Sequence, residues 1–541
     1  MDILTSSFNT IQQILNENYG VNALITDADT MTIISLAITR TELFINDVID
    51  VQTINEILEK PVNDVVSSLE CICIMRPTKE NIDLLSEEIS HKSHYSKYSI
   101  YFTNVVIEQQ IKQLGLSDMN HLIERIDEVY LDYFPLNDKL FSLNIPNIFE
   151  IRRNGSPDFL IRKISDGILS ALYSLQVRPL IRFSSNSFYC KQIAKDLLNK
   201  LSLNSYDNVS DDTVLLIVDR LTDPISALIH PWFYLGAIHD IFGIHNNFVA
   251  LPKNTIVLNE RHDNFLKNYG CKFLGDVGPA VHEKSKEAKR LNDSTKKTIN
   301  NPNQISEIVN TATQLQEQYR ILENHLSLAS SINDKVANEN LISIGDVEQS
   351  IVNCDDDPAI HLNEILSLKD KENISFDDIT RLVLLFSLKY EGRAQEQFNT
   401  LKTVFPDLTH LISATLKVAG SSKRGPENIF SSKSKLTQFF SDIKALYDAN
   451  SRLLDQYNCN LVSIIERVKK GQLSPETYPF IDGKRAEFLK PKRLIVFYLG
   501  GATYYELKAA KESTDIDVLI GGTCIHNASS FIKNEIQPFS Y

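Results

Sequence analysis

The sequence predicts an α/β protein with two open parallel-sheet domains and a large, mainly helical domain that carries a long helical hairpin. Three observations point there. Short, nearly all-apolar runs recur in the first 140 residues, after residue 179 and again near the C-terminus, as parallel strands covered on both faces should read. Amphipathic stretches of helix length separate them. From 231 to 480 the strand-like runs stop and helical periodicity takes over. At 541 residues the chain exceeds one hydrophobic core and is expected to divide into about three domains.

In the first unit, strands are expected at 23–26, 32–38, 71–75, 99–102 and 129–134, with helices at 79–89 and 105–114. Cys71 and Cys73 read as plain buried thiols on opposite faces of their strand. The second unit follows Pro135, with helices at 159–175 and 188–201 and strands at 179–183 and 213–218. Two further strands, 494–499 and 516–520, flank a helix at 504–511 and share the buried parallel character. The C-terminus is therefore expected to return and complete the second sheet. The domains read as 1–134, then 135–230 together with 481–541, and 231–480 as a helical insertion.

Within the insertion, 304–344 contains neither Gly nor Pro. Ile305, Ile308, Ala312, Leu315, Tyr319, Leu322, Leu326 and Ala329 alternate steps of three and four, a coiled-coil-like seam. One helix of ~40 residues there would span about 60 Å. Just before it, 281–299 holds six Lys/Arg against three acids, so the hairpin at 281–344 has a basic first arm and tip. The stretch VAGSSKRGPENIFSSKSK (418–435) has the composition of a surface loop.

Charge narrows the function. A formal net charge of -14 repels phosphate backbones and argues against general nucleic-acid binding. Seven scattered cysteines form no disulfide framework and no zinc ribbon. The N-terminus lacks the pattern of a signal peptide, and no apolar run approaches the ~18 residues needed to cross a bilayer. A cytoplasmic chain is expected, reaching membranes through partners.

Catalytic patterns are incomplete. Strand 213–218 ends in Asp219-Arg220, like the Mg-binding end of a nucleotide-hydrolysing fold, but no GxxxxGK[ST] accompanies it. Asp219 and Asp223 are expected to cap the following turn and helix, with Pro224 early in the helix. Gly500-Gly501 and Gly521-Gly522 lack the three-glycine spacing of a dinucleotide turn and read as tight strand-to-helix turns. His230, His239 and His245 cluster around Trp232 in no zinc spacing, and no GxSxG is present. No catalytic residue, cofactor or metal is expected, and the chain reads as a non-enzyme. The alternative is a nucleotide-dependent α/β enzyme using the Gly500-Gly501 turn and Asp219.

The same segments carry a resemblance. VDRLTDPISALIHPWFYLGAIHDIFGIHNN (218–247), IVFYLGGATYYELKAA (495–510) and VLIGGTCIHNASSFI (518–532) resemble the SM (Sec/Munc) family of SNARE regulators. CICIMRPTKENIDLL (71–85), YSIYFTNVV (98–106), DYFPLNDKLFSLN (132–144) and RLVLLFSLKYEG (381–392) look like its vacuolar-protein-sorting branch, so the likeness spans nearly the whole chain. It implies a three-domain arch and a monomer that binds a Qa-SNARE (syntaxin-like) and assembled SNARE complexes. Its traffic would lie between trans-Golgi and endosomes, with peripheral membrane association and no catalysis. A subunit of a tethering complex, as in another vacuolar-sorting branch, is a further alternative.

Two surfaces follow from the resemblance. A pocket for a syntaxin N-terminal peptide falls on 105–129, holding Ile107, Ile111, Leu114, Ile123, Ile126 and Val129; Ile107, Ile111 and Leu114 keep helical spacing. The hairpin would align SNARE helices through Leu315, Tyr319, Leu322 and Leu326. Here QEQYRILEN (316–324) departs from the family, with no proline where many members carry one at the hairpin's bend.

Overall fold

The structure, a computed structural model, describes residues 2–540 apart from 62–68, 92, 155–157, 204–211, 253, 298–304, 355, 370, 372, 425–428, 431–453, 455 and 484–489. Among the described residues the strands form a five-stranded sheet, a six-stranded sheet and a two-stranded ribbon.

The first sheet is all parallel in the order β2-β1-β3-β4-β5. Its strands are β1 (Asn22–Thr26), β2 (Val48–Thr53), β3 (Glu70–Met75), β4 (Lys97–Phe102) and β5 (Ile123–Glu128). The central strands are buried on both faces, and there the expected positions and the observed ones agree. Both edges are partly polar, so they lack the all-apolar signature: β2 went unread, and the last strand is 123–128 rather than 129–134. The run 32–38 is helical, not extended. It belongs to α2 (Ala28–Ala37), whose start is fixed by Asp27 accepting from the Asp29 and Thr30 amides, a local cap that outweighs the strand preference of the Ile pair.

Helix α1 (Ile3–Glu17), also unread, buries Ile11 and Ile14 on one face of this sheet. The same helix reaches the second unit, where Ser7 Oγ, Tyr133 Oη and Ser174 Oγ form a buried chain of 2.8 and 2.6 Å. Helices α3 (Arg40–Ile45) and α4 (Ile54–Leu58) are short; α5 (Lys79–His91) and α6 (Glu108–Ser117) cover the opposite face. Cys71 and Cys73 share that face, their sulfurs 3.6 Å apart, because residues two apart in a strand point the same way.

The second sheet runs β6-β7-β13-β12-β9-β8. Its strands are β6 (Phe134–Asn137), β7 (Leu140–Ser142), β8 (Leu180–Phe183), β9 (Thr213–Asp219), β12 (Arg493–Leu499) and β13 (Asp517–Gly522). Among the named strands the β6–β7 pair is antiparallel and the other pairs are parallel, and Arg182 on β8 makes a further antiparallel bridge to Phe480. The C-terminal strands take the middle: β12 pairs with β9 from Thr213↔Arg493 to Asp219↔Leu499, and β13 pairs with β12 and β7. Helices α7 (Phe149–Asn154), α8 (Asp158–Ser174) and α9 (Phe188–Leu203) belong to the same unit.

The helical middle opens with α10 (Ile225–Leu228), α11 (Tyr234–Phe242), the ribbon β10 (Phe248–Ala250) and β11 (Thr255–Val257), and α12 (Asn264–Tyr269). Two long helices follow, α13 (Leu274–Lys297) and α14 (Ile305–Asn338), packed along each other as the hairpin. The expected single helix over 304–344 breaks at Asn340, whose φ of +51° suits a residue that tolerates the left-handed region. It restarts as α15 (Leu341–Asn353), followed by α16 (Pro358–Lys369) and α17 (Phe376–Lys389). The stretch read as a loop at 418–435 begins inside helix Thr409–Ala419 and continues into the short helix Ser421–Arg424; most of its remainder lies outside the described residues.

Candidate partner-binding surfaces

The residues assigned to the peptide pocket divide by face. Ile107 starts α6 and Ile111 lies one turn on; they are 58% and 42% exposed. Leu114, on the same stripe, is fully buried against the sheet and offers no surface to a partner. Ile123 and Ile126 are half-buried on that face of β5. They share it, despite an odd spacing, because a bulge between Tyr98↔Ile123 and Ser99↔Arg125 adds Glu124 to the strand. Val129 packs on the other face of the sheet and leaves the set. The Val106 amide donates to Glu128 Oε1 at 2.8 Å and ties the entry to α6 to the end of β5. What remains is an apolar ledge of Ile107 and Ile111 on the helix that leads into β5, the edge strand of this sheet among the described residues.

On the hairpin, Leu315, Tyr319 and Leu322 are half-buried, and Leu326 is 40% exposed. Burial moves to a neighbouring stripe at the root of α14, where Leu328 and Ile332 enter the main core. His325 fixes that root: its Nε2 lies 2.7 Å from Asp263 Oδ2 and its Nδ1 2.9 Å from the Tyr234 hydroxyl. The helix is continuous through 316–324, the segment without proline. Pro279 sits instead near the start of α13. The hairpin's tip, 298–304, lies outside the described residues.

A third apolar surface was missed in the sequence. Phe44 and Ile45, at the end of α3, are 65% and 72% exposed, with Ile49 and Val21 exposed close by. Asn22 follows Val21 and donates its amide to Asp47, which brings the two segments to one sheet edge. The usable signal was the capping box of Thr39 with Glu42: it starts a helix so short that only Leu43 turns inward. Nearby Arg261 pairs with Glu42 at 2.7 Å and donates to the Ala37 carbonyl, joining this edge to the helical middle.

The motif residues of the C-terminus and of 218–247 build an interior clamp. Arg220 is fully buried; its Nη1 meets Glu506 Oε1 at 2.8 Å, its Nη2 donates to the Asp223 carbonyl, and it lies over the Tyr498 ring. Glu506 also closes the capping box with Thr503 that starts helix Tyr504–Glu512. Asp219 caps the next turn through the Leu221 amide, as expected, and pairs with Arg152 at 2.9 Å. Asp223 instead receives Ser226 Oγ and the Asn460 amide, tying the strand end to the helical middle. Burial pushes the Cys190 and Cys524 thiols up, away from nucleophilic use.

Two histidines in this clamp are held neutral. Burial takes His239 down to about 4 against the pull of Asp240, and takes His526 down to about 3 with Arg220, His239 and Arg152 acting in the same direction. A histidine depressed on folding destabilises the fold as pH falls below its unfolded value of about 6.5, by about 2 kcal/mol each at pH 5. Glu260 and Glu535, raised by burial to about 7 and 8, act in the opposite sense over this range. His230, lifted to about 9 by Glu348 and Asp378 against burial and Arg381, gives its full contribution below 6.5 and loses it only towards pH 9. The variant difference therefore reads the histidine. The stability deficit of His526→Asn relative to wild type is expected to shrink by about 2 kcal/mol between pH 6.5 and 5 in urea titrations. A deficit independent of pH would mean that His526 is not held neutral.

Comparison with known proteins gives a consistent set of likenesses. The Sec1 family profile matches residues 22–534. Vacuolar protein sorting-associated protein 45 of Schizosaccharomyces pombe is 30% identical over 562 residues, covering 99% of this chain and 98% of that one. The Homo sapiens protein of the same name is 27% identical, covering 95% and 92%. Among solved structures, the SM protein Vps45 in complex with the Qa SNARE Tlg2 superposes with a TM-score of 0.83 at 24% identity, covering 100% and 98%. The Unc18–syntaxin 1 complex from Monosiga brevicollis gives 0.80 at 19%, covering 98% and 99%. Sly1p in complex with an N-terminal peptide of Sed5p gives 0.76 at 18%, covering 100% and 99%. These three share the two-sheet and helical architecture.

Proposed function

The chain belongs to the Sec1 family, and on that premise we propose that it binds a Qa-SNARE and assembled SNARE complexes, promoting their assembly and vesicle docking and fusion in Golgi, endosomal and vacuolar transport. The observation that carries this reading is the likeness to vacuolar protein sorting relatives over 99% of the chain. The protein acts as a binding platform rather than an enzyme. It works as a monomer, and it reaches Golgi and endosomal membranes through its SNAREs; among the described residues no helix is long and apolar enough to cross a membrane.

The ledge of Ile107 and Ile111 receives an N-terminal peptide of the Qa-SNARE. A short apolar ledge beside a strand edge suits an extended peptide, which gains backbone hydrogen bonds from the edge and side-chain burial from the helix. Leu315, Tyr319, Leu322 and Leu326, together with Phe44 and Ile45, supply apolar surface for SNARE helices. The test is binding of syntaxin N-terminal peptides by fluorescence anisotropy. Ile111→Arg, at an exposed site, is expected to weaken binding at least tenfold, about 1.4 kcal/mol, with no change in melting temperature. Absence of binding by the wild type to any endogenous syntaxin overturns the reading; unchanged binding by Ile111→Arg removes the ledge alone.

A further inference from the structure

Beyond the partner surfaces, the second unit carries a face of opposite sign to the chain as a whole. Between 158 and 203 there are seven Lys/Arg and three Asp, with no Glu, in a chain whose net charge is -14. This stretch holds α8, β8 and α9. The two helices cover one face of the second sheet, where Leu215, Ile217, Ile495 and Phe497 pack with them. The alternate residues Leu216, Val496 and Tyr498 turn to the helical middle. The basic helices are therefore the outer layer of this unit, on the side away from the helical middle.

The helical period decides what that layer shows to water. In α9, Ile193, Ala194, Leu197 and Leu201 are buried with the sheet. The exposed stripe opposite runs through Phe188, Lys191, Lys195, Asn199 and Leu203, in steps of three and four. On α8 exposure is confined to the first turns, with Phe159, Arg162 and Lys163. Phe159, Phe188 and Leu203 are 76%, 60% and 83% exposed. Lys200 joins the two helices, its ammonium 2.6 Å from Asp166 and 2.8 Å from Asp196. Two of the three acids are thus satisfied between the helices. Among the described residues, the outward Lys163, Lys191 and Lys195 make no ion pair.

A single exposed phenylalanine needs no explanation. Two phenylalanines and a leucine set among four outward cations match the surface of an anionic bilayer. Its phosphate and carboxylate headgroups pair with Lys and Arg, while aromatic and leucine side chains enter the boundary between headgroups and acyl chains. A bilayer is also a deformable plane, so it accepts side chains from a convex pair of helices without the complementary face that a folded partner must supply. A nucleic acid would meet the same cations, but its charged backbone would continue past them along a molecule of net negative charge.

We propose that the outer face of α8 and α9 docks directly on anionic lipid membranes, with Phe159 and Phe188 entering among the headgroups and Arg162, Lys163, Lys191 and Lys195 pairing with them. The contact needs no SNARE, so its test is independent of the Qa-SNARE reading. The experiment is co-sedimentation of the full chain with SNARE-free phosphatidylcholine vesicles, with and without about one-third phosphatidylserine. Binding is expected only with phosphatidylserine, and is expected to fall at least tenfold between about 0.1 and 0.5 M NaCl as the Debye length shortens. Lys191→Glu combined with Lys195→Glu is expected to weaken it at least tenfold, and Phe159→Ser combined with Phe188→Ser about fivefold, with melting temperatures unchanged. Lys402→Glu combined with Lys417→Glu, at exposed sites of the helical middle, changes the net charge equally and should leave binding within about twofold of wild type. Absence of wild-type binding to the anionic vesicles overturns the proposal without recourse to any variant. Equal binding to vesicles lacking phosphatidylserine overturns it, and so does equal loss in the two lysine pairs, which would show net charge acting alone. Binding that both folded site variants leave intact overturns it as well. Capture of a poly-glutamate peptide without binding to vesicles overturns it in favour of a protein-docking face.

Discussion

Arg220→Met is expected to destabilise the folded chain by about 4 kcal/mol, since removing one partner of a buried ion pair leaves the other charge uncompensated. Methionine fills much of the space of the arginine stem, so the loss reports charge rather than volume. The stranded groups are Glu506, fully buried, the Asp223 carbonyl that Arg220 Nη2 satisfied, and the buried Asp223 carboxylate 3.5 Å from the same nitrogen. Glu506 still keeps its capping bonds to Thr503, so Glu506→Gln added to Arg220→Met removes the nearer of the two stranded charges with the cap in place. The double variant should recover at least a third of the loss. Urea unfolding of the two variants and wild type checks this. Equal stability of the single and double variants would show that packing, not charge, holds the clamp. Lys97, whose pair with Glu124 is half exposed on both sides, provides the solvent-exposed control and should show no comparable effect.

Gly501→Ala is expected to cost about 3 kcal/mol, summing a left-handed backbone of roughly 1–2 kcal/mol with overpacking of similar size. Its φ is +88°, and an added Cβ would stand 2.4 Å from the His526 ring and 2.9 Å from Cys524 Sγ. Gly392 separates the two contributions. Its φ is +73°, but nothing lies within 4 Å of the added atom, so Gly392→Ala should show the backbone share alone. Thermal and urea unfolding of both variants decide it. Similar losses at the two positions would mean that the crowding around Gly501 relaxes at no cost.

The parts of the fold that could be read in the sequence are those where one physical rule acts alone. The strands at 71–75, 213–218 and 494–499 are buried on both faces, and a run of apolar residues is then sufficient evidence. The edges β2 and β5 mix polar and apolar residues, and a bulge further breaks the alternation in β5. Helix α2 has the apolar content of a strand and is settled by one aspartate upstream. The site residues divide for the same reason. Helical spacing put Ile107, Ile111 and Leu114 on one stripe, but spacing does not tell which part of a stripe faces the sheet. Phe44 and Ile45 escaped because exposure at the end of a six-residue helix depends on where the next strand begins. The clamp was legible as a set of motifs, whereas its pairing of Arg220 with Glu506 joins residues nearly three hundred positions apart.

The interleaving of the second sheet has a consequence for biosynthesis. Thr213 on β9 pairs with Arg493, so a ribosome must add 280 further residues before that contact is possible. At about 5–20 residues per second, β9 waits from about 14 to 56 s with its inner edge unpaired. β7 waits longer, for β13. During that interval the nascent chain presents apolar strand edges that invite wrong pairing, while the first sheet is already complete. The helical middle emerges entirely within this window. A nascent chain of this protein therefore has a built-in demand for a chaperone that covers β7 and β9, and a message cut short after the helical middle yields a product that cannot hide them.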